Sequence, residues 1–271
     1  MAILCDYHMH TSFSEDSDAP MEEMIRAAMD RGLTAICVTE HMDLDMPGPE
    51  GYFQADLEAY VPQLLELQKL YDPLIEVRLG LELGMQPQLP ERYRAMTGVY
   101  PFDYLIASQH LVYGVDPYEP GVWEQYPEEE VLKRYFEELL DNLDRMVREG
   151  DFDTVAHLDY VVRYAPHKNE GYSYEAYAAS IDPILDLVIH SGKSLEINTA
   201  GLFKGLGMFH PAPDVLARYY EMGGRRITIG SDAHAPGAIA ACYDETARIL
   251  KEIGFTSYTI FRERTPCELP L

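Results

Sequence analysis

Seven short apolar runs, each closing on a polar or ionisable residue, alternate with stretches of helical spacing and constrain this chain more than any other feature. The runs lie at 3–10, 35–41, 76–82, 104–110, 154–157, 194–198 and 226–230. Helical spacing marks 21–31, 56–71, 128–149, 173–191, 213–222 and 237–253, with one shorter helix expected within 86–101. Pro62 is expected to disturb the second of these, and 256–261 reads as a possible terminal strand. Regular alternation of strand and helix, with no linker-like stretch, predicts one α/β domain over 1–271 built on a parallel sheet. The runs are apolar throughout, as strands are when both faces are buried. Polar residues at the ends of most strands favour a closed barrel, because an open sheet gathers its ligands at a switch point.

Composition narrows the partners. The chain of 271 residues carries a formal charge of -25, so nucleic acid and anionic membrane would both be repelled. No Gly-rich nucleotide loop is present, and no apolar run approaches the length of a membrane span. Met1 leads into charged residues without a secretory apolar region, and Cys5, Cys37, Cys242 and Cys267 form no CxxC pair. These features predict a cytoplasmic protein with reduced cysteines, Cys5 and Cys37 filling the core. Oligomeric state is left open.

The first run ends His8-Met9-His10. Residues i and i+2 of a strand share a face, so both imidazoles can aim at one point, a natural seat for a divalent cation. Further strand ends supply His41, Glu82, His110, His157, Asp232 and His234, and the loop after the first strand supplies Asp16. Gathered on one rim, these groups are costly to bury without cations between them. The reading is a multinuclear metal site; histidine and carboxylate ligands admit Zn, Fe or Mn.

The His8/His10 pair, Thr39-Glu40-His41, Glu82, Gln109-His110, His157 and Ser231-Asp232-Ala233-His234 together resemble the PHP (polymerase and histidinol phosphatase) superfamily, in family order and over nearly the whole chain. The resemblance implies a distorted, TIM-barrel-like (β/α)7 barrel with three divalent ions. His8, His10, Glu82 and Asp232 would hold the first ion. Glu82 would bridge to a second held by His110 and His157, and Asp16, His41 and His234 would hold the third. An acidic residue at 16, the run Ser14-Glu15-Asp16-Ser17, the chain length and the stretch from His157 to Arg163 resemble the histidinol-phosphate phosphatase branch. Likeness to that branch implies hydrolysis of the small phosphate monoester L-histidinol phosphate to L-histidinol and phosphate, in histidine biosynthesis. Metal-activated hydroxide would attack, and Glu82, Asp232 and His234 would carry the catalysis. Other PHP activities, as a nuclease or as a phosphatase of nucleotides or phosphotyrosine, are the alternatives, with a non-catalytic module beside a polymerase a further one. Three dications against three carboxylates and a bridging hydroxide leave about +2, which attracts a phosphate dianion locally.

Other residues admit two readings. Arg163 can fork phosphate oxygens or form a surface ion pair, and Lys204 can bind phosphate or sit solvated in its loop. Asn198 can orient a ligand or cap a turn. The aromatic segment 113–126 can stack on an imidazole, although packing on the rim is the commoner use. His167, His190 and His210 are expected to be structural.

Overall fold

In the computed structural model, which describes residues 3–271, seven strands pair in parallel in chain order. They are β1 (Cys5–Asp6), β2 (Ala35–Met42), β3 (Glu76–Gly84), β4 (Tyr104–Ser108), β5 (Thr154–Val155), β6 (Ser194–Asn198) and β7 (Ile227–Gly230). Backbone hydrogen bonds then join the two ends of the sheet. Tyr7 N–H donates to the Ile229 carbonyl at 3.0 Å, Asp232 N–H to His8 at 2.8 Å, and His10 N–H to Ala233 at 2.9 Å. The expected seven-stranded barrel is therefore nearly closed, with helices around it. Every residue of β2 is buried, as the unbroken apolar pattern of that run required.

The helices begin where local chemistry lets them. Asp56 accepts from Glu58 N–H and Ser173 from Ala176 N–H, each satisfying an otherwise orphaned donor. Glu128–Glu149 opens with three glutamates on the positive end of the helix dipole and turns Leu132, Phe136, Leu139 and Leu143 inward. Pro62 does not break Leu57–Tyr71. It faces solvent, so the carbonyl that loses its N–H partner can be hydrated.

Near the C-terminus one expectation fails and one element is new. The helix expected from 237 starts only at Tyr243, after a 3-10 turn at Pro236–Ala238 and left-handed backbone at Ala240 and Cys242. The cause is distant in sequence: the buried Asp6 carboxylate accepts N–H groups of Ser231 and Ala240 and the Ser231 hydroxyl, drawing the segment against β1. The terminal strand exists as β8 (Ser257–Arg262), and an unexpected β9 (Thr265–Pro270) pairs antiparallel with it. Pro266 and Pro270 disguised β9, yet an edge strand tolerates proline because one side of its backbone has no partner.

This hairpin closes the lower end of the barrel. Phe261 stacks on Tyr104 with ring centroids 5.2 Å apart, and the Tyr7 hydroxyl donates to the Phe261 carbonyl at 3.0 Å. Tyr104 also bonds Thr228 across the interior. At the hairpin turn, Arg264 forks onto Asp151 and reaches Asp153. With the lower end filled by tyrosine, threonine and phenylalanine, the upper end holds the histidines.

Candidate metal centre and the cavity above it

Glu82, near the end of β3 and 1% exposed, lies at the middle of the rim. Its Oε1 is 2.9 Å from His157 Nε2 and 3.2 Å from His110 Nε2, and it accepts from the Ser108 hydroxyl at 2.7 Å. Its Oε2 is 3.2 Å from His8 Nε2, 3.3 Å from His10 Nε2 and 3.1 Å from His41 Nδ1. One carboxylate thus faces two sets of imidazole nitrogens with two different oxygens. Despite these neighbours, Glu82 Oε2 and His41 Nδ1 are buried with no well-formed hydrogen bond. Lone pairs converging in this way suit a shared cation better than a proton.

The other sequence-derived positions join the cluster. Asp232 Oδ1 lies 3.4 Å from His10 Nε2 and 3.5 Å from His234 Nδ1. Asp16, the most exposed member, brings Oδ2 within 2.9 Å of His234 Nε2 and Oδ1 within 3.7 Å of His41. Rings of His41 and His234 stack on His10 at 4.2 and 4.4 Å. All nine residues therefore meet on one rim. Groups that can hold a cation form around His8, His10 and Glu82, around Glu82, His110 and His157, around His8, His157 and Glu196, around His41, Asp43 and His110, and around His10, His41 and His234. Asp16 lies at the edge of the last group. His157 and Asp232 both have positive φ, at 24° and 52°, a strained backbone that persists only where surroundings fix it.

Sequence reasoning missed the groups that aim these side chains. Glu196 on β6 meets His8 Nδ1 at 2.6 Å, Asp43 meets His110 Nδ1 at 2.6 Å, and Ser14 meets His10 Nδ1 at 3.1 Å. Each contact turns Nε2 toward the centre. Two glycines make room. A Cβ on Gly84 would lie 2.0 Å from Asp43 Oδ1, and one on Gly230 would lie 2.3 Å from His8 Cβ. Glu40, also missed, accepts from Thr11 and Ser14; burial pushes it up to about 7 against those bonds. The signal was a carboxylate inside an apolar run, with Glu196 and Asn198 on the same face of their strand.

Burial opposes the charge on Glu82, but His8, His41 and His110 outweigh it and hold the carboxyl well below its usual range. Burial likewise opposes protonation of His110, yet Asp43 and Glu82 raise it to about 10. His10, buried and beside His41 and His234, falls to about 4. Asp232 also stays ionised: burial opposes this, and Lys204, His10 and His234 overcome it.

Above the rim opens a cavity of about 470 Å³. His41, His110 and Asp16 form part of its lining, with Tyr52, Phe53 and Tyr160 among its aromatic walls. Arg163, after β5, lines it too; its guanidinium rests 5.3 Å over the Tyr164 ring and pairs with no carboxylate among the described residues. Lys204 is exposed beyond the lining, close enough for its charge to act on Asp232. Asn198 caps a turn, accepting from Ala200 N–H, and also donates to Glu196. Segment 113–126 divides: Tyr113 and Tyr126 stack on each other, while Tyr118 lines the cavity. His167 pairs with Glu128 and His190 with Asp186 at the surface; His210 is buried on Asp159 at 2.6 Å. None of the three joins the rim.

A parallel barrel whose upper rim gathers this many histidines and carboxylates is a metal-dependent barrel protein. Residues 6–200 match the PHP domain family. A probable histidinol-phosphatase of Clostridium acetobutylicum is 35% identical over 86% of this chain and 88% of its own length. The histidinol-phosphatase of Lactococcus lactis is 30% identical over 94% of this chain and 93% of its own length. The crystal structure of the Lactococcus lactis histidinol phosphate phosphatase, complexed with Zn, L-histidinol and phosphate, superposes with a TM-score of 0.89 at 27% identity, covering 97% of this chain and 98% of that one. The chain belongs to the PHP domain family, in its histidinol-phosphatase branch.

Proposed function

We propose that this chain is a metal-dependent phosphomonoesterase that hydrolyses L-histidinol phosphate to L-histidinol and phosphate, a step of histidine biosynthesis. The observation that carries the reading is Glu82, one oxygen of which faces two imidazole nitrogens and the other three, beneath a cavity holding a guanidinium with no carboxylate partner among the described residues. Relatives at 30–35% identity bear the histidinol-phosphatase name, and the related crystal structure holds the two products of this reaction.

We assign three divalent ions to the rim, of Zn, Fe or Mn. His8, His10, Glu82 and Asp232 would hold the first, Glu82, His110 and His157 the second, and Asp16, His41 and His234 the third. Divalent cations held there supply Lewis acidity toward phosphoryl oxygens and make water acidic enough to attack at neutral pH. The chain's own groups do the rest. Asp43 and Glu196 fix the imidazole orientations, and Arg163 grips the phosphate. Asp232, held as an anion, accepts the proton of the attacking water. His234, beside both Asp232 and Asp16, would hold these carboxylates in place, and the proton taken up by Asp232 would pass to the departing alkoxide, which leaves as the histidinol hydroxyl. Lys204 adds positive charge beside Asp232 when phosphate is bound.

The substrate is a small phosphate monoester and not nucleic acid. No helix among the described residues is long and apolar enough to cross a membrane. All four cysteines are unpaired, in keeping with a cytoplasmic setting. The test is a turnover screen with L-histidinol phosphate, a nucleoside monophosphate, phosphotyrosine and a short oligonucleotide. Histidinol phosphate should give the highest kcat/KM; a clear preference for any other substrate overturns the reading.

A further inference from the structure

Four carboxylates line the cavity: Asp16, Asp43, Asp116 and Glu119. The first two are committed to the rim, Asp16 to His234 and His41, and Asp43 to His110 and His41. The other two have no cation within ion-pair distance among the described residues. Asp116 uses Oδ1 to accept Tyr118 N–H at 2.8 Å, a turn contact that fixes the side chain and leaves Oδ2 free. Glu119 is exposed at the mouth, whereas Asp116 is half-buried. Across the same cavity, Arg163 also lacks a carboxylate partner.

Opposite charges that share a cavity without meeting leave room for a ligand between them. A ligand carrying phosphate alone gains from Arg163 but is repelled by two surplus anions. A ligand anionic at one end and cationic at the other satisfies both sides. We propose that Asp116 is the specificity-determining residue that selects phosphate monoesters bearing a primary ammonium, by pairing its free carboxylate oxygen with that group. The proposal rests on the phosphatase reading above and adds to it the recognition of the amine.

The test compares the metal-loaded wild type and Asp116→Asn on L-histidinol phosphate and on its amine-free analogue, 3-(imidazol-4-yl)propyl phosphate. Asparagine keeps the acceptor for Tyr118 N–H and removes only the charge. Wild type should prefer the amine-bearing ester. Asp116→Asn should lose about 10- to 100-fold in kcat/KM on it, mainly through KM, the range for one charged hydrogen bond. Its kcat/KM on the amine-free ester should not fall, and should rise by a small factor as one of the two repelling anions is removed. That second substrate also reports folding, and L-histidinol should inhibit the wild type more strongly than imidazolylpropanol, with the difference lost in the variant. Equal losses on both esters, no loss on either, or a wild type indifferent to the amine would overturn the proposal and leave the phosphatase reading standing. A wild type that hydrolyses neither ester overturns both.

Discussion

At the scale of single residues, the centre stands on how its charges are shared. Glu82→Gln should do more harm than loss of any one histidine. It removes the anion between two sets of imidazoles and replaces an acceptor oxygen with a donor amide. Elemental analysis of the purified variant should show lost metal together with lost activity; full retention of both would remove Glu82 from the ligand set. Glu196→Gln should be milder, costing about 10- to 100-fold in metal affinity, since it loosens the His8 ring without removing a proposed ligand. Competition against a chelator reads that loss. Arg163→Ala should leave metal content unchanged and cost about 2–4 kcal/mol in kcat/KM, as a phosphate dianion loses its charged partner. Unaltered kinetics would return Arg163 to its place over Tyr164. All nine rim positions were legible because each ligand type recurs where a strand or its loop ends. Asp43 and Glu196 were not, because their task depends on which histidine lies across the rim.

Among elements, all seven barrel strands were legible in place and order, because burial on both faces leaves an unbroken apolar run. Their bounds were less so: β1 keeps only Cys5–Asp6 of the run 3–10, and β5 only Thr154–Val155 of 154–157. Glu128–Glu149 and Ser194–Asn198 match their expected bounds. Failures came where a distant group overrode local pattern: the Asp6 carboxylate delays the last helix, and an edge position admits the prolines of β9. The hairpin of β8 and β9 belongs to stability rather than chemistry. Phe261→Ala should cost about 3–5 kcal/mol, as a buried aromatic ring does, and should leave kcat and metal content intact at low temperature. Denaturant unfolding beside a turnover assay separates the two; unchanged stability would show that the hairpin is not a plug.

For the whole molecule, the charge of -25 and the ions proposed for the rim work in opposite directions. A monoester dianion gains from the rim alone, whereas a polynucleotide must lay further phosphates along an acidic surface. Turnover of histidinol phosphate should therefore far exceed that of an oligonucleotide. Residual nuclease activity should not improve as salt is lowered, which kcat/KM at two ionic strengths decides. The closed ring also has a consequence for synthesis. His8 bonds to Asp232 and His10 to Ala233 across the seam of the barrel. A ribosome adding about 10 residues per second needs about 20 seconds to travel from one side of that seam to the other. Throughout that interval the nascent chain displays two histidines just after its first strand without the residues across the seam. On the proposed ligand set, metal loading is a late event, and a chain stalled before Asp232 emerges should bind a divalent cation more weakly than the complete one.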